Sequence, residues 1–186
     1  MSARNVDFFD VKGDVEALFA PRELTFMASE HPASHPGRSA RMLLDGLAIG
    51  WICELHPQWQ QQYDLPQPAL WFELDLAALM QGDVPRPVAV SRFPLVRRDI
   101  AVVVDEHVSV QSLLEVMRSR KAPHVVAIDL FDLYRGRGVE QGRKSLAFRV
   151  LLQDTQKTLT DSEIDPGIEG LMDVLQKNGA QIRGES

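Results

Sequence analysis

The sequence predicts an α+β protein in two parts. Residues 1–88 read as an incomplete antiparallel α+β domain. Residues 89–186 read as a complete β-α-β-β-α-β domain, with both helices on one face of a four-stranded antiparallel sheet. Three observations carry this reading. In the second half, two apolar stripes of helical period alternate with strand-like runs in that order. Asp83-Val84-Pro85-Arg86-Pro87-Val88 holds two prolines, which extend the chain and withhold backbone donors, so a domain linker falls there. The composition is that of soluble globular proteins: 186 residues, 45% hydrophobic and 25% charged, with 12 Gly and 11 Pro. It excludes collagen, low-complexity disorder and a disulfide scaffold, and the length suits two modest domains.

Along residues 1–88, Val11, Val15, Leu18 and Phe19 follow the stripe of an amphipathic helix that begins near Val6 and is stopped by Pro21. Leu24 to Met27 is a short strand, and Glu30 to Ser39, with Pro32, Pro36 and Gly37, reads as a loop. Ala40 to Leu44 and Leu47 to Leu55 are apolar runs around Asp45-Gly46, a dipeptide that tolerates positive φ and closes a tight hairpin. Trp59 to Tyr63 reads as a helical turn, Ala69 to Leu74 as a strand with Trp71 and Phe72, and Leu76 to Met80 as a short helix. A chain that opens on a helix and offers so few strands reads as the last part of a domain, that is, a fragment.

After the linker, Asp99 to Asp105 is a buried strand, and Ser109 caps a helix with Val110, Leu113, Leu114 and Met117 on one face. Val125 to Tyr134 and Lys144 to Gln153 form a strand pair, joined by a Gly-rich basic turn from Arg135 to Arg143. Thr160 and Glu163 have capping-box spacing, and Ile164, Ile168, Leu171, Met172 and Leu175 make a stripe that ends at Gly179. Pro166 leaves two starts open for that helix: at Thr160, or at Asp165 with Pro166 in the first turn. Ala180 to Arg183 is a terminal edge strand. This order is the split βαβ arrangement of ferredoxin-like domains. Alternation puts Leu146, Phe148, Val150 and Leu152 under the helices and leaves Ser145, Ala147 and Arg149 on a face open to a ligand.

The formal net charge is −6, and its distribution is uneven. Residues 1–88 hold 6 Lys and Arg against 12 Asp and Glu, and residues 89–186 hold 14 of each. Within the second half, residues 92–149 hold 11 basic and 7 acidic side chains, and residues 154–186 hold 3 and 7. A local basic region on a non-basic protein suits a small, specific polyanion contact better than broad coating of nucleic acid, and DNA is not expected. The lone Cys53 forms no internal disulfide and no secretory signal is evident, so a cytoplasmic location is expected. Apolar runs such as Ile100 to Val104 fall far short of the ~20 residues that span a bilayer, so no membrane partner is expected.

Catalytic and metal chemistry have no evident carrier. His31 and His35 have helical ligand spacing, but Pro32 and Pro36 forbid the helix, and Cys53 and His56 lack further ligands. No phosphate-binding Gly-Lys-Ser/Thr loop, serine elbow or paired-glycine dinucleotide fingerprint occurs. No catalytic, cofactor or metal residue is assigned.

Several strings occur in a telling order. They are Arg92-Phe93-Pro94-Leu95-Val96-Arg97-Arg98-Asp99-Ile100-Ala101-Val102-Val103-Val104, Leu130-Phe131-Asp132-Leu133-Tyr134-Arg135-Gly136 and Lys144-Ser145-Leu146-Ala147-Phe148-Arg149, with Thr158-Leu159-Thr160-Asp161 before the last helix. This set resembles the C-terminal ferredoxin-fold anticodon-binding domain of bacterial phenylalanyl-tRNA synthetase beta subunits. Val6 to Phe19 and His35-Pro36-Gly37-Arg38-Ser39-Ala40 resemble the catalytic-like domain of the same family, a degenerate class II synthetase fold. The resemblance implies a non-catalytic piece of an alpha2-beta2 heterotetramer that joins phenylalanine to its tRNA with ATP and magnesium. Catalysis then resides on the alpha subunit, and editing on upstream domains missing here.

The resemblance also implies that Ala101, Asp132 and Ser145 touch the first anticodon base. Their chemistry agrees in part: a carboxylate accepts from a guanine edge, a hydroxyl does either, and an alanine leaves room for a base on the sheet. Arg98, Arg143 and Arg149 are candidates to meet phosphate or stack on a base.

Plainer readings of the same residues stay open. Arg135-Gly136-Arg137-Gly138 also suits a solvated hairpin, and Arg97-Arg98-Asp99 an ion pair bracing the linker. Asp132 could hold its own turn, Ser145 could be simply a small strand residue, and Phe131 and Tyr134 read as core or rim aromatics rather than stacking platforms. Outside RNA binding, the topology serves regulatory domains for small amino acids, although Asp105-Glu106-His107 is not the Gly-rich turn they need. It also serves assembly modules, which exposed Trp51, Trp59 or Trp71 would support.

Overall fold

The computed structural model describes residues 6–82 and 90–183 of the chain, which divides into two units, Met1–Pro87 and Val88–Ser186. The proline segment from Asp83 to Val88, read as a linker, lies outside the described residues. In the first unit, α1 (Phe8–Phe19) starts at Asp7. The Asp7 carboxylate accepts from the N–H groups of Phe9 and Asp10 at 2.8 and 3.0 Å, and the Asp10 carboxylate accepts from the Asp7 N–H at 2.9 Å. Val15 and Phe19 are buried but Leu18 is exposed, so the apolar stripe is narrower than expected.

Strands β1 (Leu24–Ala28), β2 (Ser34–Leu44), β3 (Leu47–Leu55) and β4 (Leu70–Leu74) pair antiparallel in that order, with short helices α2 (Pro57–Gln62) and α3 (Leu76–Met80) beside them. Asp45 and Gly46, at φ 51° and 79°, close the β2–β3 hairpin. The loop expected over Glu30 to Ser39 is corrected: β2 already begins at Ser34, which pairs with Leu55. A register shift between Ser34 and Ser39 absorbs Pro36 and Gly37 without ending the strand. Val15, Phe19, Met42 and Ile52 form the centre of this core. Trp51, Trp59 and Trp71 are all half-buried, so none offers the exposed aromatic that an assembly module would favour.

The second unit has the expected β-α-β-β-α-β order: β5 (Val96–Asp105), α4 (Val110–Ser119), β6 (Val125–Tyr134), β7 (Arg143–Leu152), α5 (Asp161–Lys177) and β8 (Gln181–Ile182). The sheet runs β6-β7-β5-β8, with β8 as the short edge. The strand expected to be buried is buried on one face only: Ile100, Val102 and Val104 enter the core, and Ala101 and Val103 look the other way. Ser109 caps α4, its Oγ accepting from the Ser112 N–H at 3.0 Å.

Of the two starts open to α5, the structure takes the first. Glu163 accepts from both the N–H and the hydroxyl of Thr160, at 3.0 and 2.9 Å, and the helix runs unbroken through Pro166. The proline forfeits one backbone bond, while Ile164, Leu171 and Leu175 remain fully packed against Phe148 and its neighbours.

Candidate nucleic-acid interface

Residues paired across neighbouring strands share a face, so the register lays out the helix-free side of the second sheet in rows. One row is Ala101 on β5, Ala147 on β7 and Asp132 on β6. The next row is Gln181, Val103, Ser145 and Tyr134. On the other side lies Asp99, Arg149 and Asp129. The three expected base-contact positions, Ala101, Asp132 and Ser145, thus fall in two adjacent rows of one face.

Asp132 reaches this face through a register shift. Leu130 stands opposite Phe148 on the core side, so strict alternation would also send Asp132 into the core. The chain instead inserts Phe131 as an extra residue before Asp132 pairs with Ala147. Among the described residues the Asp132 carboxylate has no hydrogen bond or ion pair and does not hold the turn. Ser145 is almost completely buried, with Arg183 Nη1 at 3.4 Å from its hydroxyl.

The arginines separate. Arg143 lies across β5 and β8, donating to the Gln181 side chain at 2.8 Å and to the Val103 carbonyl at 3.3 Å, with Asp105 and Glu140 at 3.6 and 3.5 Å. Arg149 places its guanidinium 4.7 Å from the centre of the Phe131 ring. Its Nε is buried without a hydrogen-bond partner, the nearest charge being Asp99 at 3.8 Å. Arg98 does not join them: it shares its side of β5 with Ile100 and donates to Asp161 at the start of α5, at 2.6 Å.

Arg97 and Asp99 form a two-bond ion pair, at 3.0 and 2.6 Å, within β5 itself on the open face. The Arg97 hydrogen bonds hold the Asp99 carboxyl below its ordinary range. Arg135 forks onto Glu106 at 2.6 to 3.2 Å and likewise lowers that carboxyl, which fastens the basic turn to the end of β5.

Sequence reasoning left Phe131 between core and rim. It is 44% exposed on the open face, where the alternation of Asp129 and Leu130 puts it, and the shift then keeps Asp132 on that face as well. Arg97 was legible, being two positions from Asp99 on the same strand. Among the described residues no three His, Cys, Asp or Glu side chains gather as metal ligands, and no helix is long and apolar enough to cross a membrane.

Comparison with known proteins agrees with this architecture. Residues 91–183 match the ferredoxin-fold anticodon binding domain, and residues 1–76 match the phenylalanyl tRNA synthetase beta chain CLM domain. A phenylalanine-tRNA ligase beta subunit from Dechloromonas aromatica is 51% identical, over 97% of this chain and 23% of that protein. Those from Nitrosospira multiformis and Burkholderia lata are 48% and 50% identical, over 98% and 97% of this chain and 23% and 24% of the relatives. The chain therefore spans about a quarter of the length of the curated relatives it matches. With both units matched in order, this chain belongs to the phenylalanyl-tRNA synthetase beta chain family, and its second unit is a ferredoxin-fold anticodon binding domain.

Proposed function

We propose that the chain reads the anticodon of phenylalanine tRNA on the open face of its second unit, as a non-catalytic part of a cytoplasmic phenylalanine-tRNA ligase. The observation that carries the reading is the row Ala101–Ala147–Asp132. Two alanines give a flat floor with room for a base, and at its edge stands a carboxylate with no partner among the described residues. Such a carboxylate accepts from the two donors on the Watson–Crick edge of guanine. Ser145, one row away and almost completely buried, holds its hydroxyl beneath the same base, with Arg183 donating to it. Arg143 and Arg149 line the same face as partners for phosphate or a base plane. Arg98, engaged by Asp161 on the opposite face, is outside this reading.

On this reading residues 1–88 are the C-terminal part of the catalytic-like domain and residues 89–186 the anticodon-binding domain. The first unit packs the beta subunit against the alpha subunit of an alpha2-beta2 enzyme. ATP and magnesium belong to that whole enzyme. The described residues here do not fit a magnesium site, so no chemical step is assigned to them.

The test is a titration of labelled phenylalanine tRNA into the chain at two salt concentrations, beside tRNA whose first anticodon guanine is replaced, and with Asp132→Ala and Ser145→Ala. A bidentate base contact discriminates by about 1 to 3 kcal/mol. Base replacement and Asp132→Ala should each cost that much, and together little more. Phosphate contacts should set the salt slope and leave the base preference alone. Binding indifferent to the base at both salts would sink the reading.

A further inference from the structure

We infer that Phe131, with the Arg149 guanidinium against its ring, is a stacking platform for a second unpaired base, the one adjoining the base held at Asp132. This inference rests on the anticodon reading above. Phe131 is a large aromatic left 44% exposed on a sheet face, at the residue inserted by the register shift. Two guanidinium groups attend the ring, Arg149 at 4.7 Å and Arg97 at 5.8 Å from its centre. Arg97 is held in place by its fork on Asp99, so the ring is braced rather than loose. A braced ring loses little freedom when a base settles on it.

The charge pattern selects a base over a phosphate. Around the ring the guanidiniums of Arg97 and Arg149 are matched by Asp99, which Arg97 already engages, and by Asp129, so a phosphate meets no net attraction there while a neutral, polarisable base loses nothing. Spacing agrees as well. Same-face positions along a strand repeat every ~6.6 Å, so the Arg149 row lies one such step from the alanine floor. That step lets two successive unstacked bases occupy successive rows. Stacking on an aromatic face tolerates any base identity, so this platform contributes affinity and orientation, while Asp132 contributes selectivity.

The experiment compares the whole chain with its Phe131→Leu and Phe131→Tyr variants. Each is titrated with phenylalanine tRNA, with tRNAs made abasic at the nucleotide on either side of the first anticodon base, and with 2-aminopurine at those two positions. Phe131→Leu should weaken binding about 5- to 100-fold, with the ratio between the native and replaced first base unchanged, and Phe131→Tyr should bind like the parent. One of the two abasic tRNAs should bind the parent and the leucine variant equally. The 2-aminopurine at that same position should be quenched by the parent and the tyrosine variant but not by leucine. The platform is overturned if leucine binds like the parent, or if its loss persists with both abasic tRNAs, which would mean that the ring only positions Arg149. If the parent does not discriminate the first base at all, the anticodon reading fails and the platform with it.

Discussion

Replacing Gly50 with alanine probes the closest approach of two strands in the first unit. A Cβ there would stand 2.0 Å from the Glu73 carbonyl oxygen, 2.8 Å from Leu74 Cα and 2.9 Å from Met42 Cε. Met42 Cε ends a flexible side chain, although a fully buried one, but the other two atoms are backbone of β4. Ordinary contact begins near 3.4 Å, so β4 must retreat by roughly 1.4 Å. That exceeds the few tenths of an ångström separating a good N–H···O bond from a poor one. The ladder beside Gly50 therefore stretches, including the bond from the Asp75 N–H to the Ile49 carbonyl, now 2.6 Å. Overpacking costs about 1 to 3 kcal/mol, and each lost ladder bond about 0.5 to 1.5 kcal/mol. The expected loss is thus at least ~2 kcal/mol, a large share of the roughly 5 to 15 kcal/mol that holds a domain together. All 3 tryptophans lie in this unit, so their fluorescence during urea unfolding reports it alone. The midpoint should fall by about 1 to 2 M urea with the slope unchanged. A midpoint equal to that of the parent would refute the claim that β3 and β4 meet backbone to backbone at Gly50.

Gly13, in the middle of α1 with nothing within 4 Å of an added Cβ, predicts the opposite sign. Gly13→Ala should raise stability by about 0.5 to 1 kcal/mol in the same fluorescence experiment, and a loss would contradict the open surface assigned to it. Glu163 is held down to about 2 by its hydrogen bonds from Lys157 and Thr160. Its folded value lies below the unfolded value of about 4.3, so its contribution is full above that pH and is lost as pH falls toward 2. Urea midpoints followed by circular dichroism should show Glu163→Gln less stable than the parent near pH 6, with the gap closing as the solution is acidified. Arg98→Ala removes a surface ion pair on the helix side of the sheet, so stability should change by no more than about 1 kcal/mol. The preference for the first anticodon base should be untouched by Arg98→Ala, as read by the tRNA titration, and a lost preference would mean that Arg98 reaches the open face.

Much of this architecture was legible because local chemistry and global packing agreed. Asp45-Gly46 announces a turn that needs positive φ at both positions, and both have it. The alternation of Leu146, Phe148, Val150 and Leu152 assigns one face of β7 to the core, and all four are completely buried. Where reading by local pattern failed, pairing from far along the chain had overruled it. Pro36 and Gly37 look like a break, yet Ser34 finds Leu55 across the sheet and the strand continues around them. Pro166 looks like a helix start, yet the cap at Thr160 and the buried side of α5 outweigh one missing bond. Arg98 was assigned among the RNA-facing cations from its motif alone. Its parity with Ile100, Val102 and Val104 was available in the sequence and points to the helix side, where Asp161 meets it. The facing of Asp132 carried no comparable signal, because a single inserted residue inverts every facing prediction after it.

That inserted residue also ties the specificity of the surface to the fidelity of folding. Were β6 to zip onto β7 without the shift, Phe131 would stand opposite Ala147 and Asp132 opposite Leu146, turning the carboxylate to the helix side of the sheet, at the place Leu133 now holds. That place is 38% exposed, so a carboxylate there would meet water and the unshifted pairing would cost little in burial. It would, however, strip the open face of its one acceptor beside the two alanines. A one-residue slip of this strand pair is therefore written in the loss of base selectivity before it is written in stability.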